Sequence, residues 1–290
     1  MDCARGPEHG GTDRVDEPVR ARGQRRCTDD GHIEVTGLEA HLRTRRSEGK
    51  KLLIPYVTGG LTNWKEGIRA AVAAGADAIE VGIPFSDPVM DGPVIQDASQ
   101  RALEAGATPP GILAEIPTID VQVPIVVMLY YNTVFRTGHE RFASFCRNNG
   151  VSGAIVPDLP LEESGPWCEV ADAAGIETVM LAAPTAPDAR LPRIAARARG
   201  FVYAVGLLGI TGERDALANT ATAIAGRVKA VTDKPVLVGV GVSNADQARE
   251  ACRVADGVIQ GASVVRRLME SGPDAVGEYI AEVRAAIDEN

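Results

Sequence analysis

The stretch Pro235-Val236-Leu237-Val238-Gly239, Val240-Gly241-Val242-Ser243, Ala245–Val254, Gly257-Val258-Ile259-Gln260-Gly261 holds one complete structural unit. A short apolar run ends in a glycine turn, an amphipathic stretch follows, and a second short apolar run closes on glycine. That order is the pattern of a crossover between two parallel strands. Working back towards the N-terminus, the same alternation repeats. Strand runs are expected at Leu52–Thr58, Ala78–Gly82, Pro124–Tyr130, Gly153–Val156, Glu177–Ala182 and Phe201–Val205, which with Pro235–Gly239 and Gly257–Gly261 makes eight. Helical crossovers are expected at Asn63–Ala74, Val94–Glu104, Glu140–Asn148, Glu162–Ala174, Leu191–Ala198, Leu217–Val231, Ala245–Val254 and Ala275–Asp288. Eight βα units over about 240 residues fit a (β/α)8 TIM barrel, an α/β fold of typically ~250 residues, better than two doubly wound domains. The expected organisation is therefore one barrel domain over 31–290, opened by a short helix at Gly37–Lys50 with a basic outer face. Residues 1–30 mix Arg, Asp, Glu and Gly with few large apolar side chains, and read as a disordered tail.

Composition narrows the function. A 45% hydrophobic content supplies a large core, and no apolar run approaches the ~20 residues of a membrane span. A soluble, cytoplasmic protein is expected. With 30 Lys+Arg against 39 Asp+Glu the net charge is −9, so the chain has no general attraction for nucleic acid. The five cysteines form no C-x-x-C pair and read as reduced thiols rather than zinc ligands. Of four histidines only His139 lies within the repeating units, so no metal is expected and carboxylates must carry acid–base chemistry.

In barrels of this kind the site lies at the C-terminal ends of the strands. Glu80 falls mid-run, on the same side as Ala78 and Gly82. A glutamate there is either held by a neighbouring cation or is a general acid–base whose basicity is raised by burial. The proline-studded loop Ile83–Pro93 adds Asp87 and Asp91; each has a turn reading, but Asp91 lies only a short loop from Glu80. Gly241 and Gly261, after strands seven and eight, stand where such barrels hold phosphate on backbone N–H groups. Tyr130 and Tyr203, at the ends of strands three and six, add aromatic surface to the same mouth.

The segment Ala78–Pro93, continued by Ile95-Gln96-Asp97-Ala98-Ser99-Gln100-Arg101-Ala102-Leu103, resembles the signature of the tryptophan synthase alpha subunit family. Pro157-Asp158-Leu159-Pro160-Leu161-Glu162-Glu163, Gly209-Ile210-Thr211-Gly212 and Gly239-Val240-Gly241-Val242-Ser243 also look like that family's motifs, in its order. The resemblance implies retro-aldol cleavage of indole-3-glycerol phosphate to indole and glyceraldehyde 3-phosphate. By the same resemblance Glu80 is the acid–base group, Asp91 takes the indole nitrogen's proton, and Thr211 closes onto Asp91. Tyr56 and Tyr203 line the indole pocket with Tyr130 nearby, and Gly212, Gly241, Gly261 and Ala262 bind phosphate through their backbone. No cofactor is implied for this chain; pyridoxal phosphate belongs to a beta subunit that receives indole, with the loop around Asp87 at the interface. Ala262 stands where the family carries serine, a loss of one hydroxyl contact that Ser263 or a water is expected to recover in part. Still open are a stand-alone lyase of a specialised pathway, a related barrel aldolase on another phosphorylated substrate, and a non-catalytic activating subunit. The last is disfavoured by the joint presence of Glu80, Asp91 and Thr211, since a scaffold has no use for a buried carboxylate.

Overall fold

A computed structural model describes residues 37–206, 214–239 and 241–289, with the side chains of 214–219 left aside. These residues fall in one compact unit, Val35–Asn290. The expected tail over 1–30 lies outside the described residues. Eight parallel strands close into a barrel in chain order: β1 (Leu52–Thr58), β2 (Ile79–Gly82), β3 (Ile125–Met128), β4 (Gly153–Ile155), β5 (Glu177–Ala182), β6 (Val202–Val205), β7 (Val236–Gly239) and β8 (Gly257–Gln260). All seven residues of β1 are buried, because helices cover the outer face while side chains fill the interior. Leu52, Ile54, Ala78, Val126, Ile155, Val179, Phe201, Leu237 and Ile259 make the inner packing. The larger outer cluster packs the strands against the helical ring.

Helix α1 (Leu38–Ser47) closes the N-terminal end of the barrel. Its Leu38 and Leu42 are fully buried and belong to the inner cluster. Gly200 makes room for this plug: it has φ +77°, and a Cβ there would stand 2.5 Å from Leu38 Cδ2. Gly37 gives α1 no side-chain cap, so the carboxylate of Glu177 accepts the Glu39 N–H at 2.8 Å from the start of β5. The basic face expected on α1 is spent on the same end. Arg45 pairs with Asp77 (2.8 Å), Arg46 with Asp256 (3.3 Å), and Arg43 with Asp233 (3.1 Å).

Asp77 and Asp256 sit just ahead of β2 and β8, and each does two jobs. Asp77 also binds Arg284 (3.0 Å) and accepts the Leu53 N–H (2.9 Å); Asp256 also binds Lys229 and accepts the Val236 N–H (2.9 Å). Ion pairs and strand ends are thus joined by single carboxylates.

The ring comprises α2 (Trp64–Ala73), α3 (Pro93–Glu104), α4 (Pro109–Glu115), α5 (Tyr131–Thr137), α6 (His139–Asn148), α7 (Gly165–Ala174), α8 (Leu191–Arg197), α9 (Arg214–Lys229), α10 (Ala245–Cys252), α11 (Ala262–Ser271) and α12 (Pro273–Asp288). Three of these, α4, α5 and α11, were not expected from the sequence. Pro109-Pro110 reads as a breaker, but both prolines occupy the first turn of α4, where Thr108 accepts the Gly111 N–H at 3.2 Å. The strand expected to run to Tyr130 stops at Met128, and Tyr131 opens α5 because Asp158, from a distant loop, accepts its N–H at 2.8 Å. No helix among the described residues is long and apolar enough to cross a membrane.

Removing the Asp77 carboxylate strands two arginines and the Leu53 N–H. An Asp77→Ala chain should lose about 3 kcal/mol of stability by equilibrium denaturation, with turnover per folded molecule unchanged.

Candidate active site

Tyr56 on β1 is the register partner of Glu80 on β2, so the two side chains stand next to each other on the inner face of the barrel. Glu80 is 1% exposed, and its Oε2 has no hydrogen-bond partner. Among the described residues no lysine or arginine pairs with it, which sets aside the reading of a cation-held glutamate. Burial in a low-dielectric wall, helped by the negative charge of Asp91, pushes its pKa up to about 8. At pH 7 it is therefore mostly a neutral acid, by about ten to one.

Two tyrosine rings cover the inner wall, and two glycines admit them. A Cβ on Gly82 would lie 1.9 Å from the Tyr56 hydroxyl oxygen, and one on Gly239 would lie 2.1 Å from that of Tyr203. Both rings are buried, and burial holds both phenols well above their ordinary range, so they stay neutral. Tyr203 was expected at the mouth from its strand end and Tyr56 in the pocket only from the family resemblance; that Gly82 and Gly239 are the spaces their rings occupy was not legible from strand-end glycines.

Asp91 is half-buried in the loop after β2. The Tyr130 hydroxyl donates to its Oδ2 at 3.0 Å and itself accepts the Met90 N–H at 2.9 Å. Phe85 stacks on the Tyr130 ring with centroids 5.0 Å apart, and Gln96 Nε2 donates to the Asp91 carbonyl at 2.8 Å. Tyr130 thus braces the carboxylate, a more specific task than the pocket lining expected of it. Desolvation raises the Asp91 pKa, while the Tyr130 hydrogen bond pulls it back down. Phe85 and Gln96 had no signal in the sequence beyond proximity to Asp91. Asp87 is exposed on the same loop, with the Ser86 hydroxyl donating to it.

After β7, Gly241 is exposed with φ +89°. After β8, Gly261 precedes α11, whose N-terminus receives no side-chain cap, and Ala262 is exposed. The Ser263 hydroxyl is bonded within the protein. The residue is buried, and its Oγ donates to the Ser243 carbonyl at 2.9 Å. Thr211 and Gly212 lie outside the described residues. No group of three or more potential metal-ligating His, Cys, Asp or Glu side chains occurs among the described residues.

Two carboxylates of unequal basicity at the mouth of a closed parallel barrel place the chain among the acid–base enzymes of the (β/α)8 class. Residues 42–287 match the family model described as tryptophan synthase alpha chain. The tryptophan synthase alpha chain of Thermobifida fusca is 42% identical over 266 residues, covering 87% of this chain and 98% of that one. That of Streptomyces coelicolor is 44% identical over 252 residues, covering 85% and 92%. Among solved structures, Mycobacterium tuberculosis tryptophan synthase superposes with a TM-score of 0.81 at 36% identity, covering 88% and 99%. Tryptophan synthase subunit alpha from Legionella pneumophila gives 0.79 at 29% identity, covering 88% and 100%. The chain belongs to the tryptophan synthase alpha chain family. It is a carbon–carbon lyase that cleaves indole-3-glycerol phosphate to indole and glyceraldehyde 3-phosphate.

The raised basicity of Glu80 carries a cost in stability. Between the ordinary glutamate pKa of 4.5 and about 8 the folded chain holds a proton that the unfolded chain has released, so stability falls as pH rises through that window. Glu80→Gln removes the titration. Its melting temperature relative to the parent should climb from pH 5 to pH 8.5, by the equivalent of a few kcal/mol at most; a constant difference would contradict the assignment.

Proposed function

We propose that Glu80 is the acid and base of the cleavage and that Asp91 manages the charge on the indole nitrogen. The observation that carries this reading is the buried Glu80, paired with no cation among the described residues, beside Asp91. A protonated Glu80 donates to C3 of the indole ring, which moves positive charge to the ring nitrogen. Asp91, whose anionic form Tyr130 stabilises, faces that nitrogen, stabilises its charge by accepting its proton, and returns the proton as cleavage restores the ring, so that indole leaves with its N–H. The glycerol hydroxyl next to the breaking bond returns a proton to the Glu80 carboxylate while the C–C electron pair flows back into the ring. One aldehyde and one indole leave, and Glu80 ends as it began. Tyr56 and Tyr203 supply neutral aromatic walls for a planar apolar body. Backbone N–H groups at Gly212, Gly241, Gly261 and Ala262 hold the phosphate, and Thr211 closes onto Asp91. No step calls for a cofactor on this chain.

A beta subunit carrying pyridoxal phosphate is the partner that fits this reading. Val89 and Met90, on the loop with Asp87, are 78% and 40% exposed, and Phe135 on α5 is 66% exposed. Large apolar side chains standing in water next to the active mouth support a docking surface there.

Three outcomes test the proposal. Purified chain should release indole from indole-3-glycerol phosphate slowly alone and faster with a tryptophan synthase beta subunit; Phe135→Asp should abolish the stimulation and keep the basal rate. Glu80→Gln should lower kcat by about 10²–10⁴-fold. In the parent, kcat/KM should fall above about pH 8 as Glu80 loses its proton, and Tyr130→Phe should move the acid limb to higher pH because Asp91 loses the bond that favours its charge. An acid limb unmoved by Tyr130→Phe would remove Asp91 from the proton path.

A further inference from the structure

The turns after β7 and β8 are joined to each other by side chains that point away from the site. The Ser263 hydroxyl, 8% exposed at residue level, crosses from the first turn of α11 to the Ser243 carbonyl at 2.9 Å. Ser243 is held from its other side, since Gln247 Oε1 on α10 accepts both its N–H (2.8 Å) and its hydroxyl (2.9 Å). Asn244 caps α10 by accepting the Gln247 N–H at 2.9 Å, so the glutamine that grips Ser243 is itself fixed.

A second set of bonds braces α11 from outside the barrel. Arg267 Nη1 donates to the Ser263 carbonyl at 3.0 Å, and its guanidinium lies over the Tyr279 ring, 3.8 Å from the centroid. The Tyr279 hydroxyl donates to Gln260 Oε1 at 2.6 Å, on the last residue of β8. Strand end, turn and helix are thus tied to α12. The carbonyl bond and aromatic stacking of Arg267 both direct it to the Tyr279 side.

Both serine hydroxyls are therefore engaged within the protein, and Ala262 brings none. An anion on these turns meets backbone N–H groups, and their strength as a site depends on how far apart the two turns are held. Backbone donors on separate loops bind one anion well only when their spacing is set in advance. We infer that Ser263 is a positioning residue for substrate phosphate, fixing the distance between the Gly241 and Gly261–Ala262 turns through its bond to Ser243. The inference rests on the phosphate reading given under Proposed function, and it assigns Ser263 no contact with the phosphate itself.

The test is a comparison of the parent chain with Ser263→Ala and Ser263→Thr. Glycerol phosphate binding is measured by calorimetry, and cleavage kinetics with indole-3-glycerol phosphate; the reverse condensation of indole is followed with glyceraldehyde 3-phosphate and with unphosphorylated glyceraldehyde. Ser263→Ala should weaken glycerol phosphate and raise KM for indole-3-glycerol phosphate by about tenfold, the size of one lost hydrogen bond, with kcat within about twofold. Condensation with unphosphorylated glyceraldehyde should be unchanged, and Ser263→Thr, which keeps the hydroxyl, should restore the parent's values. Equal glycerol phosphate affinity in parent and Ser263→Ala, or equal losses with both aldehydes, would overturn the positioning role and leave the phosphate reading standing. Failure of glycerol phosphate to bind the parent chain would overturn the phosphate reading itself.

Discussion

The controlling constraint is a single carboxylate kept out of water. Glu80 sits on an inner strand face with one oxygen unbonded and, among the described residues, no cation paired with it, and burial converts it from an ordinary glutamate into an acid that keeps its proton near neutrality. Much of the surrounding architecture is needed to keep it so. Tyr56 and Tyr203 shield it, Gly82 and Gly239 yield the space for those rings, and the closed barrel leaves no sheet edge through which water enters the wall.

The same constraint explains why the second carboxylate is built so differently. Asp91 lies on a loop rather than a strand, half in solvent, and takes a hydrogen bond from Tyr130 that favours its charged form. Exclusion of water raises both carboxylates, Glu80 to about 8, while at Asp91 the Tyr130 donor offsets part of the rise. The loop between them is stiffened by Pro84 and Pro88 and fastened by Phe85 against Tyr130, which holds the pair in relation without a direct bond between them.

How much of this could be read from the sequence depends on how local the cause is. The strands were legible because an apolar run covered on both faces leaves a pattern within a few residues, and Glu80 was legible because a charge inside such a run breaks that pattern. Helix α5 was not, since its first N–H is satisfied by Asp158 from another loop. The bracing role of Tyr130 was hidden for the same reason, its partners Asp91 and Met90 being 39 and 40 residues away. The bond from Ser263 to the Ser243 carbonyl was hidden too, because sequence gives a residue's neighbours but not the direction in which its hydroxyl points.

The helix that plugs the bottom of the barrel has a consequence for the order in which the chain is made. Arg43 and Arg46 find their carboxylates in Asp233 and Asp256, which lie 190 and 210 residues further along. A ribosome delivers α1 first and those partners almost last, so the earliest described helix is among the last elements able to seat. Until then Leu38 and Leu42 have no interior to fill. Closure of the barrel and seating of its first helix are therefore expected late in synthesis, and a truncated product lacking β7 and β8 is left with Leu38 and Leu42 unburied on a basic helix whose Arg43 and Arg46 have lost their carboxylates.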